Sequence, residues 1–330
     1  MFFLEEGESA LSTRRRFLSL LGLSLVSAPV LQAQSRELKR SRWDLMFHNE
    51  DPRDPDLRPD PSSWDDHTIT AAWIGHATVL INFFGTWIVT DPVLSERIGV
   101  DVLRLFTVGP KRLVRPALQF DDLPPIDLVL LSHGHMDHMD TPTIRLFNRD
   151  TPVVIAKHTL DIIEDYGFQE IYELDWNEYA QIGDVRIEAL EVRHFGWRFP
   201  WEEDRSRGNP AGRSYNAYLI SKNGKHLLFG GDTAYQEYFR KLGERGIPIE
   251  LAMMPIGAYD PWIHSHANPE QALEMCGHMN ARAMMPIHWN TFIQSDEPTA
   301  EPMQRLLAAA GDDRPSVALT RIGETWRMES

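Results

Sequence analysis

The chain contains 330 residues, 42% hydrophobic and 25% charged, which excludes a collagen, a low-complexity linker and a disordered acidic tail. Acidic residues outnumber Lys and Arg by 48 to 33, giving a formal charge of −15, so a broad interface with nucleic acid is not expected. A single cysteine, Cys276, excludes an intrachain disulfide and a cysteine-rich zinc module. Beside it stand thirteen histidines, and their positions are the main guide to function.

The first 33 residues have the features of an export signal. Arginines at positions 14–16 precede an apolar stretch from Leu18 to Val30, and Ala33 suits a cleavage site. That stretch is shorter than the roughly 20 residues of a membrane-spanning helix, and the arginines before Phe17-Leu18 resemble a twin-arginine signal. We therefore expect residues 1–33 to be a twin-arginine-type signal peptide and the protein to be periplasmic or extracellular. An uncleaved amphipathic helix is the alternative.

The remainder divides into a short N-terminal segment and a long domain. Residues 34–66 are polar and rich in Pro and Asp, so they are expected to wrap the surface without a helix or central strand. Residues 67–330 show no break in composition and are expected to form one domain. Within it, pairs of β-type runs flank three turns, at Gly85, at Gly183-Asp184 and at Asn223-Gly224.

Helical patterns lie between these predicted hairpins. The clearest begins with Asn268-Pro269-Glu270, which provides an N-cap and a proline in the first turn. The expected helices cover four ranges: 159–166, 235–245, 269–279 and 301–310. A final strand is expected over 316–321. This pattern predicts two packed sheets with helices outside, an α/β sandwich.

A cluster of metal-ligand residues follows the apolar run Asp127–Leu131, in the sequence Ser-His-Gly-His-Met-Asp-His. His133 and His135 are two positions apart and therefore project together from extended backbone. Asp137 and His138 lie beyond the turn, where they can face a second ion. Imidazole and carboxylate ligands without a thiolate favour zinc, iron or manganese. A loop with accidental histidines is the simpler interpretation, but so many ligands directly after a buried strand disfavour it.

Further ligands are expected after other apolar strands, because α/β proteins place their sites at the carboxyl ends of strands. Asp232 follows Leu227–Phe229 and two glycines, and His194 and His288 each follow an apolar run. Asp232 fits a carboxylate that bridges two ions, or an aspartate that caps the next helix. A lone histidine on an apolar strand is more often a core residue, but the neighbouring 133–138 cluster favours ligand roles here.

The spacing of these residues resembles that of the metallo-β-lactamase superfamily. The resemblance implies an αββα sandwich with two metal ions, and all seven ligand positions hold the expected residue type. One ion would be bound by His133, His135 and His194. The other would be bound by Asp137, His138 and His288. Asp232 would bridge them.

More local motifs resemble the N-acyl-phosphatidylethanolamine-hydrolysing phospholipase D branch of that superfamily. These motifs are Trp73–Leu80, Thr90–Pro92, Pro255–Tyr259, His266–Ala272 and Ile287–Phe292. The resemblance spans residues 70–295 and implies phosphodiester hydrolysis. It places His266 near the active site, as a candidate to orient substrate or protonate the leaving group; a surface or supporting role is the alternative. His76 is expected to orient a metal-bound residue, or to be structural.

The chemistry expected of such a site is metal-dependent hydrolysis. Two ions that share a water lower its pKa toward neutrality, so no side-chain nucleophile is needed. Asp137 and His266 are the candidate catalytic residues, and two Zn²⁺ are the expected cofactors, with iron or manganese as alternatives.

Several functions remain open from the sequence. They are a phosphodiesterase acting on N-acyl-phosphatidylethanolamine or a related phosphodiester through a metal-bridging hydroxide, a lactonase or esterase, a non-enzymatic metal-binding protein, and iron redox chemistry. The expected partner is a small-molecule or lipid substrate, with peripheral membrane contact and no nucleic acid. The oligomeric state is left open.

Overall fold

The computed structural model describes residues 49–103, 105–311 and 315–329. The signal expected over residues 1–33 and the segment 34–48 lie outside the described residues. Residues 49–66 contain one 3₁₀ turn, Pro61–Ser63, and run beside residues 113–115 through backbone hydrogen bonds. No helix in the described part of the chain is long and apolar enough to cross a bilayer.

The strands form two seven-stranded sheets and one separate hairpin. In chain order they are β1 (Ile69–Gly75), β2 (Thr78–Phe83), β3 (Thr86–Thr90), β4 (Val100–Val102), β5 (Phe106–Val108), β6 (Leu128–Leu130), β7 (Val153–Ala156), β8 (Ile171–Leu174), β9 (Tyr179–Ile182), β10 (Val185–Glu191), β11 (Asn216–Lys222), β12 (Lys225–Phe229), β13 (Ile249–Pro255), β14 (Ala281–Ile287), β15 (Ser316–Val317) and β16 (Thr325–Arg327). The first sheet has the order β16-β1-β2-β3-β6-β7-β8 and the second β15-β14-β13-β12-β11-β10-β9. Within the described residues, strands β4 and β5 pair only with each other.

The three predicted hairpins are confirmed. The pairs β2–β3, β9–β10 and β11–β12 are antiparallel, and their turns contain the expected residues. In the third turn Asn223 and Gly224 both have positive φ, 51° and 70°. Two left-handed residues in a row match the twist of the flanking strands, which is why Asn-Gly is favoured there.

Four α-helices are described: α1 (Thr141–Ile144), α2 (Tyr238–Glu244), α3 (Pro269–His278) and α4 (Glu301–Ala309). They confirm three of the predicted helices, those over 235–245, 269–279 and 301–310. In α3 the Asn268 side chain accepts from the Gln271 backbone N–H, and the Gln271 side chain accepts from the Asn268 backbone N–H, forming a capping box.

The helix predicted over 159–166 is wrong. Two 3₁₀ turns, Leu160–Ile162 and Glu164–Tyr166, occupy this range. The Thr159 hydroxyl donates to the Ala156 carbonyl instead of capping a helix, and Gly167 ends the segment in the left-handed region. Ile163, between the two turns, has φ −127° and ψ −3°, so the backbone leaves the α-helical region in the middle of the segment.

The strand predicted over 316–321 is shorter than expected and is followed by a strand that the pattern did not reveal. Only β15 forms, because the Glu324 carboxylate accepts from the backbone N–H groups of Thr320 and Arg321 and holds them in a turn. The chain then crosses to the other sheet, where β16 pairs antiparallel with β1.

The sheets pack face to face around a common core. Trp73 and Ile81 of the first sheet belong to the same buried cluster as Tyr218 and Leu227 of the second. The Tyr218 hydroxyl also crosses between the sheets to donate to the Leu131 carbonyl. Helix α3 contributes buried residues to this cluster, and α1 lies over a smaller apolar cluster of the first sheet. The predicted fold class, an α/β sandwich with helices outside, is confirmed.

Candidate metal centre

Strand ends from both sheets meet at one edge of the sandwich. Asp91 directly follows β3, and His133 lies three residues after β6. From the second sheet, Asp232 follows β12 by three residues and His288 directly follows β14. An isolated bridge between His133 and Tyr215 joins the sheets at this edge. The topology therefore gathers residues that are far apart in sequence.

The first group of ligand atoms consists of three imidazole nitrogens. His133 Nε2 lies 2.8 Å from His135 Nδ1, and His194 Nε2 lies 3.2 Å from the same atom. Burial lowers the pKa of all three histidines, that of His135 to about 4. The rings are therefore neutral near pH 7, and each has one nitrogen lone pair.

Two of these lone pairs are aimed by the opposite ring nitrogen. His194 Nδ1 lies 2.9 Å from the Ser265 carbonyl, which can only accept, so Nδ1 carries the proton and Nε2 the lone pair. The Ser132 hydroxyl donates to Asp91 and lies 2.9 Å from His133 Nδ1, so that nitrogen donates as well. Both Nε2 lone pairs consequently face the nitrogen of His135, an arrangement suited to a cation.

The second group of ligand atoms combines carboxylates with imidazoles. Asp137 Oδ2 lies 3.2 Å from His288 Nε2 and 3.5 Å from His138 Nε2. Asp232 Oδ2 lies 3.1 Å from His138 Nε2 and 3.2 Å from His288 Nε2, and it also lies 3.8 Å from His194 Nε2. Asp232 thus stands between the two groups.

Buried polar atoms without hydrogen bonds support a metal at this position. Among the described residues they include His138 Nε2 and Asp232 Oδ1. Asp91 Oδ2 lies 2.6 Å from His138 Nδ1 and can only accept, so Nδ1 donates, and in the neutral ring Nε2 is the nitrogen that carries the lone pair. A buried lone pair and a buried carboxylate oxygen are costly unless a donor or cation satisfies them. The residues therefore fit the metal ions that the sequence predicts.

The charges of the second group also favour a cation. Burial opposes ionisation of Asp137 and Asp232, but the nearby histidines, His138 first, outweigh it and hold both pKa values well below their usual range. Burial also opposes protonation of His138, but Asp232, Asp137 and Asp91 outweigh it and raise its pKa. Positive charge is favoured among these carboxylates, and a dication can supply it without protonating a ligand.

The two further predicted residues lie against the same carboxylates. His266 Nε2 is 3.2 Å from Asp232 Oδ2, and its Nδ1 is buried without a hydrogen-bond partner. His76 Nε2 is 3.0 Å from Asp137 Oδ2, and its carbonyl accepts from the His288 N–H. The structure thus brings together every site residue named from the sequence. Their assignment as ligands, acid or support remains a prediction.

Three supporting residues were not assigned a role from the sequence, although Asp91 lies within the Thr90–Pro92 motif. Asp91 holds His138, Gln294 Nε2 donates to Asp137 Oδ2 at 2.7 Å, and the Arg198 guanidinium donates to the carbonyls of Gly134 and Met139, at the two ends of the ligand loop. Asp91 follows an apolar strand, the same signal that identified Asp232. Gln294 and Arg198 lie in irregular segments, where no periodicity marks them.

Backbone conformation is strained at the centre. His76, Asp91 and His288 have positive φ, 53°, 32° and 60°, which non-glycine residues rarely adopt. Gly231 also has positive φ, and a Cβ there would lie 2.7 Å from the Ser132 Cβ. The glycine before Asp232 is therefore required by both conformation and space.

Known proteins resemble this chain in sequence and in fold. A profile described as a beta-lactamase superfamily domain matches residues 86–289. An uncharacterized Mycobacterium tuberculosis protein is 31% identical over 92% of this chain and 81% of its own length. A Caenorhabditis elegans N-acyl-phosphatidylethanolamine-hydrolyzing phospholipase D is 30% identical over 78% of this chain and 75% of its own. The solved isothiocyanate hydrolase from Delia radicum gut bacteria shares the fold, with a TM-score of 0.61, 19% identity, and coverage of 78% of this chain and 97% of that one.

Proposed function

This chain belongs to the metallo-β-lactamase superfamily and is a metal-dependent hydrolase, and we propose that it cleaves phosphodiesters of the N-acyl-phosphatidylethanolamine type. The observation that carries the proposal is the placement of Asp232 between two groups of ligand atoms. A shared carboxylate between two ions suits in-line displacement at phosphorus, in which attacking and leaving oxygens both need stabilisation. The similarity to the nematode phospholipase D supports the choice of substrate class.

The residues that would hold two ions are those of the two groups. His133, His135 and His194 would bind one ion, and Asp137, His138 and His288 the other. Asp232 would be shared, because its Oδ2 lies near His138, His288 and His194. Zn²⁺ suits this ligand set, as do iron and manganese. When bound, two such ions supply Lewis acidity and lower the pKa of water.

The chain's own side chains supply orientation and a proton. Gln294 and His76 both contact Asp137 Oδ2 and fix this carboxylate in one orientation. Asp232 accepts from His266 Nε2, so the Nδ1 of that ring, which has no hydrogen-bond partner, is the nitrogen available to the substrate. We assign His266 as the group that passes a proton to the leaving alcohol oxygen.

A product-resolved assay tests the function. Metal-loaded protein is incubated in ¹⁸O-labelled water with N-acyl-phosphatidylethanolamine, bis(p-nitrophenyl) phosphate, lactones and carboxylic esters. We expect turnover of the phosphodiesters, with label in the phosphate product, because water attacks phosphorus. Turnover confined to lactones or esters, with label in the carboxylate, would assign the site to the lactonase alternative. His266→Ala is the matched variant: its metal content should stay the same while turnover falls.

We also propose that the protein is exported. The support is sequence alone, the arginine pair and apolar stretch within residues 1–33. Replacing Arg14 and Arg15 by lysine keeps the charge but should leave the precursor in the cytoplasm, because a receptor reads the pair. Fractionation of cells producing each form measures this. Normal export of the double variant would indicate the general secretory route.

A further inference from the structure

Large exposed apolar side chains are concentrated on the β4–β5 hairpin. Leu103 and Leu105, at its tip, are 83% and 77% exposed. The strands flanking the tip add exposed residues: Val100, Phe106 and Val108. Soluble surfaces normally carry such residues singly, so a cluster on one projection indicates a contact surface.

A second apolar projection lies beside this hairpin. The rings of Phe199 and Trp201 stack with their centroids 4.9 Å apart, and Trp201 is 78% exposed. Phe199, Val100 and Leu103 line one cleft of about 290 Å³. Hereafter "the apolar rim" means Leu103, Leu105, Phe106, Phe199 and Trp201.

Two residues of the apolar rim, Leu103 and Phe199, line a cleft that also contacts the loop of candidate metal ligands. The cleft is also lined by Met136, which lies between His135 and Asp137 in the ligand loop. Arg198, whose guanidinium holds both ends of that loop, lines the same cleft. A molecule lying against the apolar rim is therefore close to the ligand residues.

The hairpin is held in its projecting position by its base. Gly99 and Gly109 approach so closely that a Cβ on either would lie about 2 Å from a carbonyl oxygen of the facing segment, that of Val108 or Ile98, and both have positive φ. Asp101 accepts from Arg145 at 2.8 Å and anchors the body of the hairpin. The tip thus extends from a fixed base, and its apolar side chains stay exposed to solvent.

We propose that the apolar rim inserts into the interfacial region of a zwitterionic lipid bilayer and brings the metal centre to its substrate; the proposal rests on the function above, in which that substrate is a lipid. Projecting tips of Leu, Phe and Trp suit the boundary between headgroups and acyl chains. The net charge of −15 disfavours an anionic bilayer, so insertion of apolar side chains must supply the affinity.

Vesicle binding tests this proposal without requiring turnover. Full-length protein is sedimented with phosphatidylcholine vesicles, and Leu103→Ser, Leu105→Ser and Trp201→Ser are compared with wild type. Partitioning should fall on the order of tenfold for each leucine removed. Leu307→Ser is the matched control, because Leu307 is an exposed leucine on α4, which does not line the cleft. All variants share residues 1–33, so differences between them report the apolar rim.

Hydrogen exchange of residues 100–108 on vesicles provides a second measurement. Apolar insertion would be supported by two results together. Vesicles should protect residues 100–108 in wild type but not in the leucine variants, and partitioning should be unchanged in about 0.5 M salt. Binding that needs phosphatidylglycerol and vanishes with salt would overturn it. So would unprotected residues 100–108, or self-association that the same variants abolish. Vesicle binding without phosphodiester turnover would contradict the proposed function alone.

Discussion

The two halves of the metal centre lie on either side of Asp232 but have different surroundings. In the first half, His133, His135 and His194 present neutral nitrogens, since burial lowers the pKa of each. In the second half, carboxylates surround His138 and raise its pKa. Metal binding by the first half therefore requires neutral imidazole rings, whereas metal binding by the second half relies on the negative charge of its carboxylates.

Their supports differ in the same way. His194 is held by the Ser265 carbonyl, a neutral acceptor, whereas His138 is held by the Asp91 carboxylate. A carboxylate support raises the basicity of the imidazole more than a carbonyl does. Variants should therefore affect the two halves separately unless they change the residue that both share.

Replacing Asp232, which lies between the halves, should affect metal binding in both of them. Asp232→Asn keeps the shape of the side chain but removes the charge that would balance two dications. We expect both ions to bind more weakly and kcat to fall on the order of 10²-fold or more. Elemental analysis of protein purified without chelator, together with turnover, measures this. Two retained ions with near-normal turnover would show that Asp232 does not bridge.

Single ligand variants should separate the halves. Wild type should hold close to two ions per chain, because the ligands exceed what one tetrahedral ion uses. His194→Ala and His288→Ala should each leave close to one ion. Spectroscopy of cobalt-substituted protein can distinguish the ion that remains, since one site is rich in imidazole and the other contains carboxylate. Loss of both ions in each variant would mean that the halves are not independent.

Replacing Asp91, which supports the second half, should have a smaller effect on metal binding. Asp91→Asn keeps an acceptor near His138 but removes the charge. Since loss of such partners commonly costs about 10–100-fold in metal affinity, we expect about tenfold weaker binding of one ion. Chelator competition should show one weakened site and one unchanged site. Equal weakening of both would indicate that Asp91 acts through Ser132 on His133 as well.

The smallest expected effect is on acid stability of the metal-free protein. Burial lowers the folded-state pKa of His76 to about 3 and of His135 to about 4, from 6.5. Below pH 6.5 the unfolded chain binds more protons, so stability is lost as pH falls toward 4. His138 acts oppositely, giving stability below pH 6.5 that is lost as pH rises. Histidines whose pKa is lowered outnumber those whose pKa is raised, so the net effect is a loss of stability on acidification.

Calorimetry of the metal-free protein, prepared with a chelator, from about pH 7 to about pH 5 measures the net effect of these histidines on stability. Tm should fall by a few degrees, and His76→Gln should flatten the dependence because one lowered pKa is removed. A Tm that rises on acidification would show that His138 dominates.

Local sequence signals determined much of the fold and most of the centre. The turn at Asn223-Gly224 and the capping box at Asn268 are set by residues adjacent in the chain, so they could be predicted. The candidate ligands His133, Asp232 and His288 follow apolar strands, a signal that needs no tertiary information. Asp91 carries the same signal and could have been found with them.

Tertiary structure decided the rest. Strand β16 forms because the chain crosses to pair with β1. The segment 159–166 folds as 3₁₀ turns, and the Thr159 hydroxyl before it donates to the Ala156 carbonyl instead of capping a helix. Gln294 reaches Asp137 from 157 positions away in the chain, and no local pattern encodes that contact. Residues that act by touching a distant partner are visible only once the sheets have packed, whereas turns, caps and strand ends are determined by neighbours in sequence.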